Sequence, residues 1–273
     1  MITAIVLNWK RPENMARILD ALRQASLVSE IIVWNNNREI HFVAGDDVCV
    51  VNSSRDLGLF TRFTAASLAK NEGILFQDDD VVLKTEMIET LYREWKREPR
   101  ICHAAFGRSC WSGPYNRKNA WGDVDVVLTT AVLVHRSICL QAAMNSQHLC
   151  DIQGTPEGNG EDILLSYTAM AMSGKPNRSH DLCLSRELQD PSISINQRVA
   201  NHAKHRTLVL RRCRTLFSPD SAWVASAALL WKKARMLQRK ERVRSFLGRI
   251  RDSMRAVYVK FRAVFSRTRR GIV

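Results

Sequence analysis

The chain has 273 residues, 45% of them hydrophobic, and carries a formal net charge of +14. That is an ordinary globular composition, long enough for one large domain and an appendage. The charge is uneven: residues 204–273 hold 20 Lys/Arg against 3 Asp/Glu, a net +17, whereas residues 1–203 hold 21 against 24, a net −3. An anionic partner is therefore suggested for the tail only, and a basic nucleic-acid-binding core is excluded.

Seven cysteines, at 49, 102, 110, 139, 150, 183 and 213, form no C-x-x-C pair and are odd in number. Neither a zinc site nor a disulfide framework is expected, and reduced intracellular thiols are the simplest account. Cys49, between Val48 and Val50, reads as a buried apolar thiol. No apolar run approaches the ~20 residues that span a bilayer, and Ile2 enters a strand with no basic leader before it. The expectation is a cytoplasmic protein, peripheral on a membrane surface.

In chain order, Ile2 to Leu7 is a near-continuous apolar run, the mark of a strand covered on both faces. Pro12 suits a first helical turn, and Met15, Ile18, Leu19 and Leu22 share one face of a helix over 12–25. Short strands follow at 31–34 and 48–51, then a helix over 59–70. Ile74-Leu75-Phe76 has the length and content of a buried strand and runs into Asp78, Asp79 and Asp80. A helix over 85–97 presents Met87, Ile88, Leu91 and Trp95 on one face. The second half is less regular: a strand at 101–106, a Gly/Pro/Asn/Ser/Trp-rich loop at 108–122, a strand over 124–134 and a helix near 135–145. A glycine-rich loop at 154–160 then leads into Glu161-Asp162 at the start of a helix near 161–173. Strands alternating with helices predict an α/β fold with a mostly parallel sheet, its strands ending in Asn8, Asn35–Asn37 and Asp78–Asp80 on one edge.

No G-x-G-x-x-G, Walker A or G-x-S-x-G motif occurs. Three adjacent aspartates repel one another. Water compensates them at a surface turn, and a divalent cation does so at the end of a buried strand, since hard oxygen ligands suit Mg or Mn. Residue type alone leaves both readings open. Glu161 and Asp162 gain from the dipole of the helix they open, and carboxylates there can also serve a reacting sugar carbon. Arg11 and Arg62, beside the same crevice, read as surface arginines or as phosphate or base contacts. His202 and His205 with Arg206 read as structural groups or as metal or phosphate ligands.

Taken in order, I-T-A-I-V-L-N-W-K-R-P, E-I-I-V-W-N-N-N, I-L-F-Q-D-D-D-V and G-E-D-I resemble glycosyltransferase family 64, the exostosin-like C-terminal domain, over about residues 1–215. The resemblance implies a GT-A fold, Mn with Mg as its substitute, a UDP-activated N-acetylhexosamine donor and retention of anomeric configuration. It implies Asp80 as the metal ligand and Asp78 toward the ribose. Arg11, Asn35 and Arg62 fall at uridine contacts, and Asp79 is grouped with the nucleotide-sugar side without a role of its own. Asp162, with Glu161 beside it, matches the active-site carboxylate motif, and Arg206 matches an arginine that approaches the diphosphate. The family's acceptor is often a proteoglycan chain, which nothing in this sequence supports, and the acceptor expected here is a glycan or a lipid-linked precursor.

The expected organisation is a transferase domain over 1–217 and a basic helical tail over 218–273. In the tail, Val243, Phe246, Leu247, Ile250, Met254, Val257, Phe261 and Val264 recur at helical steps beside a basic face. Such a helix suits an anionic membrane surface, with nucleic acid the lesser partner. The competing function is a non-catalytic protein that binds an anionic surface or nucleic acid and carries a degenerate transferase domain.

Overall fold

The computed structural model describes residues 1–111, 113–152, 159–184, 188 and 201–218. The expected loop residues 154–158 and the amphipathic helix of the tail lie outside the described residues. Among the described residues no helix is long and apolar enough to cross a membrane.

Strand β1 (Ile2–Asn8) is buried at every position, as its apolar run requires. A single 3-10 turn, Pro12–Asn14, leads into α1 (Met15–Gln24), whose Met15, Ile18, Leu19 and Leu22 are buried. There follow β2 (Val28–Asn35), β3 (Val48–Asn52), α2 (Thr61–Ala65), β4 (Gly73–Asp78) and α3 (Thr85–Arg97). The second half contributes β5 (His103–Ala104), β6 (Gly107–Arg108), β7 (Gly122–Val124), β8 (Val126–Val127), β9 (Ala131–His135) and α4 (Arg136–Asn145). It closes with α5 (Glu161–Ser173), β10 (Asn177–Ser179) and α6 (His202–Leu216).

The main sheet has eight strands in the order β3-β2-β1-β4-β9-β5-β10-β7, and β6 pairs with β8 separately. The block β3-β2-β1-β4 is parallel throughout, β9 runs antiparallel to both β4 and β5, β10 is parallel to β5, and β7 is antiparallel to β10. The sheet is thus mostly parallel, with the α/β architecture expected. Its two faces carry separate cores. Ile5, Ile32, Ile74, Phe76, Val132 and Val134 pack with α2, α4, α5 and α6, while Ala4, Val6, Val33, Leu75 and Leu133 pack with α1 and α3. The alternation Ile74-Leu75-Phe76 between the two cores is the period of two of a strand buried on both sides.

Register decides what shares an edge. Asn8 lies opposite Asn35, Asn35 opposite Asn52, and Leu7 opposite Asp78. Four strand ends are therefore level to within one residue, and the antiparallel β9 begins at that same edge, where the Asp78 amide donates to the Thr130 carbonyl at 3.1 Å.

Several expected elements differ. The strand over 124–134 is three, because Asp125 interrupts its apolar run and is fully buried, accepting from the Cys110 amide at 2.7 Å and the Tyr167 hydroxyl at 3.3 Å. The strand over 101–106 shrinks to His103–Ala104, and the helix over 59–70 to Thr61–Ala65 with a 3-10 turn at Ala66–Leu68. Cys49 is exposed rather than buried, since β3 is an edge strand and its alternate residues face water.

Candidate active site

The strand-end carboxylates are not equivalent. Asp79 turns back toward β1. Its carboxylate accepts from the Arg11 Nη1 at 2.7 Å and the Trp9 amide at 3.2 Å, and its carbonyl accepts from Asn14 Nδ2 at 2.8 Å. Both partners of the Arg11–Asp79 pair are buried. Burial pushes the Asp79 carboxyl up to about 6, against the pull of Arg11. Asp78 is the most open of the three, its side chain 30% exposed, and its Oδ1 accepts from Arg62 Nη2 at 3.0 Å. Asp80 is buried at the same turn.

Arg62 is almost wholly enclosed. Its Nε donates to the Leu59 carbonyl at 3.2 Å, its Nη1 to the Thr129 carbonyl at 3.1 Å and its Nη2 to Asp78. The same Nη2 lies 3.9 Å from Glu161 Oε1, which also accepts from Thr129 Oγ1 at 2.7 Å. Burial works against the charge on Arg62, but Asp78, Glu161 and Asp162 outweigh it and raise its pKa. Arg62 therefore joins the aspartate triplet to the Glu161-Asp162 pair across the sheet edge. A guanidinium with all three nitrogens engaged by protein is a bridge within the chain rather than a surface arginine.

Gly160 precedes α5 with a φ of +116°, and a Cβ there would meet Val209 Cγ1 at 2.8 Å, so only glycine fits between α5 and α6. That close approach brings Arg206 of α6 over the start of α5. Its Nη2 donates to Asp162 Oδ2 at 2.5 Å, its Nη1 donates to Asn159 Oδ1 at 3.1 Å, and its guanidinium lies 4.3 Å from the centre of the Tyr115 ring. Asp162 and Tyr115 hold the Arg206 pKa above its ordinary value despite burial. Burial, and next the Asp162 charge, push Glu161 upward.

Asn35 is the centre of an amide ladder. Asn8 Nδ2 donates to Asn35 Oδ1 at 3.0 Å, and Asn35 Nδ2 donates to Asn52 Oδ1 at 2.8 Å and to the Ile40 carbonyl at 2.7 Å. His202 is pushed down to about 4 by burial and by Arg206, so it is neutral.

Most residues singled out in the sequence thus fall into one connected cluster: Arg11 with Asp79; Asp78 with Arg62 and Glu161; Asp162 with Arg206; and Asn35 one strand away from Asn8. The cluster also recruits Thr129, Asn14, Asn159 and Tyr115. Thr129 had no motif to mark it, because it acts partly through its carbonyl. Asn159 stood inside the glycine-rich loop that leads into Glu161, and Asn14 at the first turn after Pro12, positions at which a polar side chain reaches back to a neighbouring chain end.

Among the described residues no group of three His, Cys, Asp or Glu side chains is disposed to hold a metal ion. A cation at this edge would have to be held by one or two carboxylates and complete its shell from phosphate oxygens and water, the usual arrangement for Mg-type ions on nucleotides. Asp80, with the half-open Asp78 two residues before it, offers hard oxygen donors that fit this description.

The Glycosyl transferase family 64 domain matches residues 2–238. The Exostosin-like-3 homolog of Caenorhabditis elegans is 26% identical over 195 residues, which is 64% of this chain and 22% of that protein. The chain thus spans about a fifth of the length of that curated relative. A crystal structure of GalNAc-T7 with UDP, GalNAc and Mn2+ superposes with a TM-score of 0.47 at 13% identity, covering 66% of this chain and 42% of that one.

Proposed function

The chain belongs to glycosyltransferase family 64, and from that premise we propose that it moves a sugar, an N-acetylhexosamine, from a UDP-sugar to a hydroxyl of a glycan or lipid-linked acceptor with retention of configuration. The observation that carries the reading is the buried chain of charges Asp78–Arg62–Glu161 and Asp162–Arg206, which ties a nucleotide-side strand end to a second carboxylate pair. Structural ion pairs alone do not need two acidic motifs, 80 residues apart in sequence, converging on one sheet edge.

In this reading the level strand ends of Asn8, Asn35 and Asp78 receive the uridine, at the edge where open α/β sheets bind ligands. Arg11 fixes Asp79 and so sets the turn that presents Asp78 and Asp80. Asp80 would hold a Mn ion, or Mg in its place, which would supply positive charge to the diphosphate of the donor. Arg206 brings a second positive group to the same leaving group, and its hydrogen bond to Asp162 orients that carboxylate. Asp162 then orients the acceptor hydroxyl or faces the positive charge that develops at the sugar carbon as its bond to the diphosphate breaks. The new bond joins that carbon to the acceptor oxygen as the bond to the diphosphate breaks, and the hydroxyl proton leaves with the departing UDP. Glu161 is held between Arg62 and Thr129 and positions Asp162 from behind.

The basic residues of 218–273 are read as the part that attaches the enzyme to an anionic membrane surface, at about 1 kcal/mol per Lys or Arg near such a surface. Flotation with anionic liposomes, full chain against a chain ending near Pro219, tests it, and equal flotation would sink it. The test of the transferase reading is a thermal-shift screen of UDP-, GDP- and CDP-sugars with and without Mn. A UDP-specific, Mn-dependent shift is expected. No shift with any nucleotide would instead favour a domain that no longer turns over.

A further inference from the structure

The loop after β6 lines an open cavity of about 510 Å³, its walls including Ser109, Trp111, Pro114, Tyr115 and Asn116. That volume is within the range of about 300–1,000 Å³ usual for small-molecule sites. Trp111, 51% exposed, lays a large aromatic face along it. The lining is two-natured: Trp111, Tyr115 and Pro114 are flat and apolar, while Ser109 and Asn116 carry hydrogen-bonding groups. A pyranose has the same two natures, with a face of C–H groups that packs on an aromatic ring and a rim of hydroxyls that needs donors and acceptors. Asn116 Oδ1 already accepts from the Lys118 amide at 3.0 Å, which fixes the side chain, and an alkyl chain would leave its Nδ2 and the Ser109 hydroxyl without a ligand partner.

The wall is preformed. Arg214 of α6 donates to the Gly113 carbonyl and to the Cys110 carbonyl, each at 2.8 Å, and the Cys110 amide donates to the buried Asp125 at 2.7 Å. The Tyr115 amide donates to Thr207 Oγ1 at 3.1 Å, and the Asn116 amide donates to Cys110 Sγ at 3.3 Å. Four contacts from the core and α6, with one inside the loop, thus fix this Gly-, Pro- and Asn-rich segment.

Tyr115 is shared with the site described above. Its ring forms part of the cavity wall and stacks under the Arg206 guanidinium at 4.3 Å, and Arg206 grips Asp162. The lining includes none of the strand-end residues Asn8, Asn35 or Asp78. We propose that this cavity is the acceptor subsite: a saccharide unit packs its C–H face on Trp111 and hydrogen-bonds Ser109 and Asn116, next to the Asp162–Arg206 pair. This rests on the transferase reading, which supplies the need for an acceptor.

The test uses full-length protein labelled with 5-fluorotryptophan, its Trp111 ¹⁹F resonance assigned with Trp111→Phe. Methyl β-galactoside, lactose and a uronate–hexosamine disaccharide are titrated, with octyl tetraethylene glycol as an alkyl probe without sugar. At least one saccharide is expected to shift the Trp111 resonance saturably. Trp111→Ala and Asn116→Ala should weaken that saccharide's binding by calorimetry tenfold or more, with the thermal shift given by UDP and Mn kept. A Trp111 resonance that no saccharide moves, or that the alkyl probe moves equally, overturns the proposal. A saccharide response without any UDP response would overturn the transferase reading and uphold the cavity as a saccharide site.

Discussion

Arg62 Nη2 stands 3.0 Å from Asp78 Oδ1 and 3.9 Å from Glu161 Oε1, so one enclosed cation serves two acidic motifs. Removing it strands the buried Glu161 beside a half-open Asp78, which costs far more than the pair itself contributes. Arg62→Met, which keeps most of the volume, is expected to lower unfolding free energy by about 3–5 kcal/mol. Arg62→Lys should lose less, since it keeps the charge but cannot reach three acceptors. Urea denaturation measures both. A loss under ~1 kcal/mol for Arg62→Met would mean the carboxylates are compensated elsewhere.

The adjacent aspartates separate by experiment. Asp79→Asn breaks the buried pair with Arg11 and should lower the melting temperature. Conversely, Asp80→Asn should abolish the Mn-dependent response to UDP and cut UDP-sugar cleavage by at least ~100-fold. Normal turnover by a folded Asp80→Asn enzyme would move the metal assignment away from this residue.

Asp162 and Arg206 should behave as a unit. Arg206→Met leaves Asp162 buried without its cation, and Asp162→Asn leaves the cation without its anion. The double variant should be less destabilised than the sum of the two, with a coupling of about 1–3 kcal/mol. For activity, Asp162→Asn alone should lower kcat by about 100- to 1,000-fold. Additive stabilities would contradict the pairing at 2.5 Å.

Glu161 predicts a pH dependence. Burial first, and the neighbouring Asp162 second, raise its pKa from the ordinary 4.5 to about 7, while Arg62 and Thr129 pull it the other way. A folded-state value above the unfolded one means the native protein holds the extra proton between the two. The contribution to stability is therefore full below about pH 4.5 and is lost as pH rises through about 7. Melting curves across that window should show the loss, and Glu161→Gln should flatten it. An unchanged slope in the variant would assign the titration to other groups.

Gly160→Ala should be costly for two reasons at once, its φ of +116° and the 2.8 Å contact with Val209 Cγ1. A loss of about 1–3 kcal/mol is expected, with Val209→Ala recovering the part due to the contact but not the part due to φ. Full recovery would show that the backbone conformation at Gly160 is not strained for alanine.

Much of this was legible in the sequence where one physical cause dominated. The run Ile2 to Leu7 could only be a strand covered on both sides, and β1 is buried at every position. The stripe at Met15, Ile18, Leu19 and Leu22 gave α1 its inward face. The ordered motifs led to the family and to residues that do converge. What stayed hidden depended on tertiary partners. Asp125 splits a strand because the Cys110 amide and Tyr167 are there to meet it, and nothing near it in sequence says so. Arg62, read as a surface arginine or a nucleotide contact, is enclosed because Thr129 arrives from 67 residues away. The cavity at Trp111 comes from a loop whose composition says nothing of its anchors, because two of them reach it from Arg214 on α6.

The insertion of antiparallel β9 beside β4 also orders events in time. As the chain leaves the ribosome amino end first, Arg11 and Asp79 can meet once residue 79 has emerged, and Arg62 can find Asp78 almost at once. The Thr129 carbonyl that completes the enclosure of Arg62 comes some 50 residues later, and Arg206 reaches Asp162 last, from 44 residues further on. The strand-end half of the crevice is thus available during synthesis well before the Asp162–Arg206 pair, so on the proposed assignment a nascent chain halted before α6 holds the nucleotide-side residues and lacks the arginine that would face the leaving group.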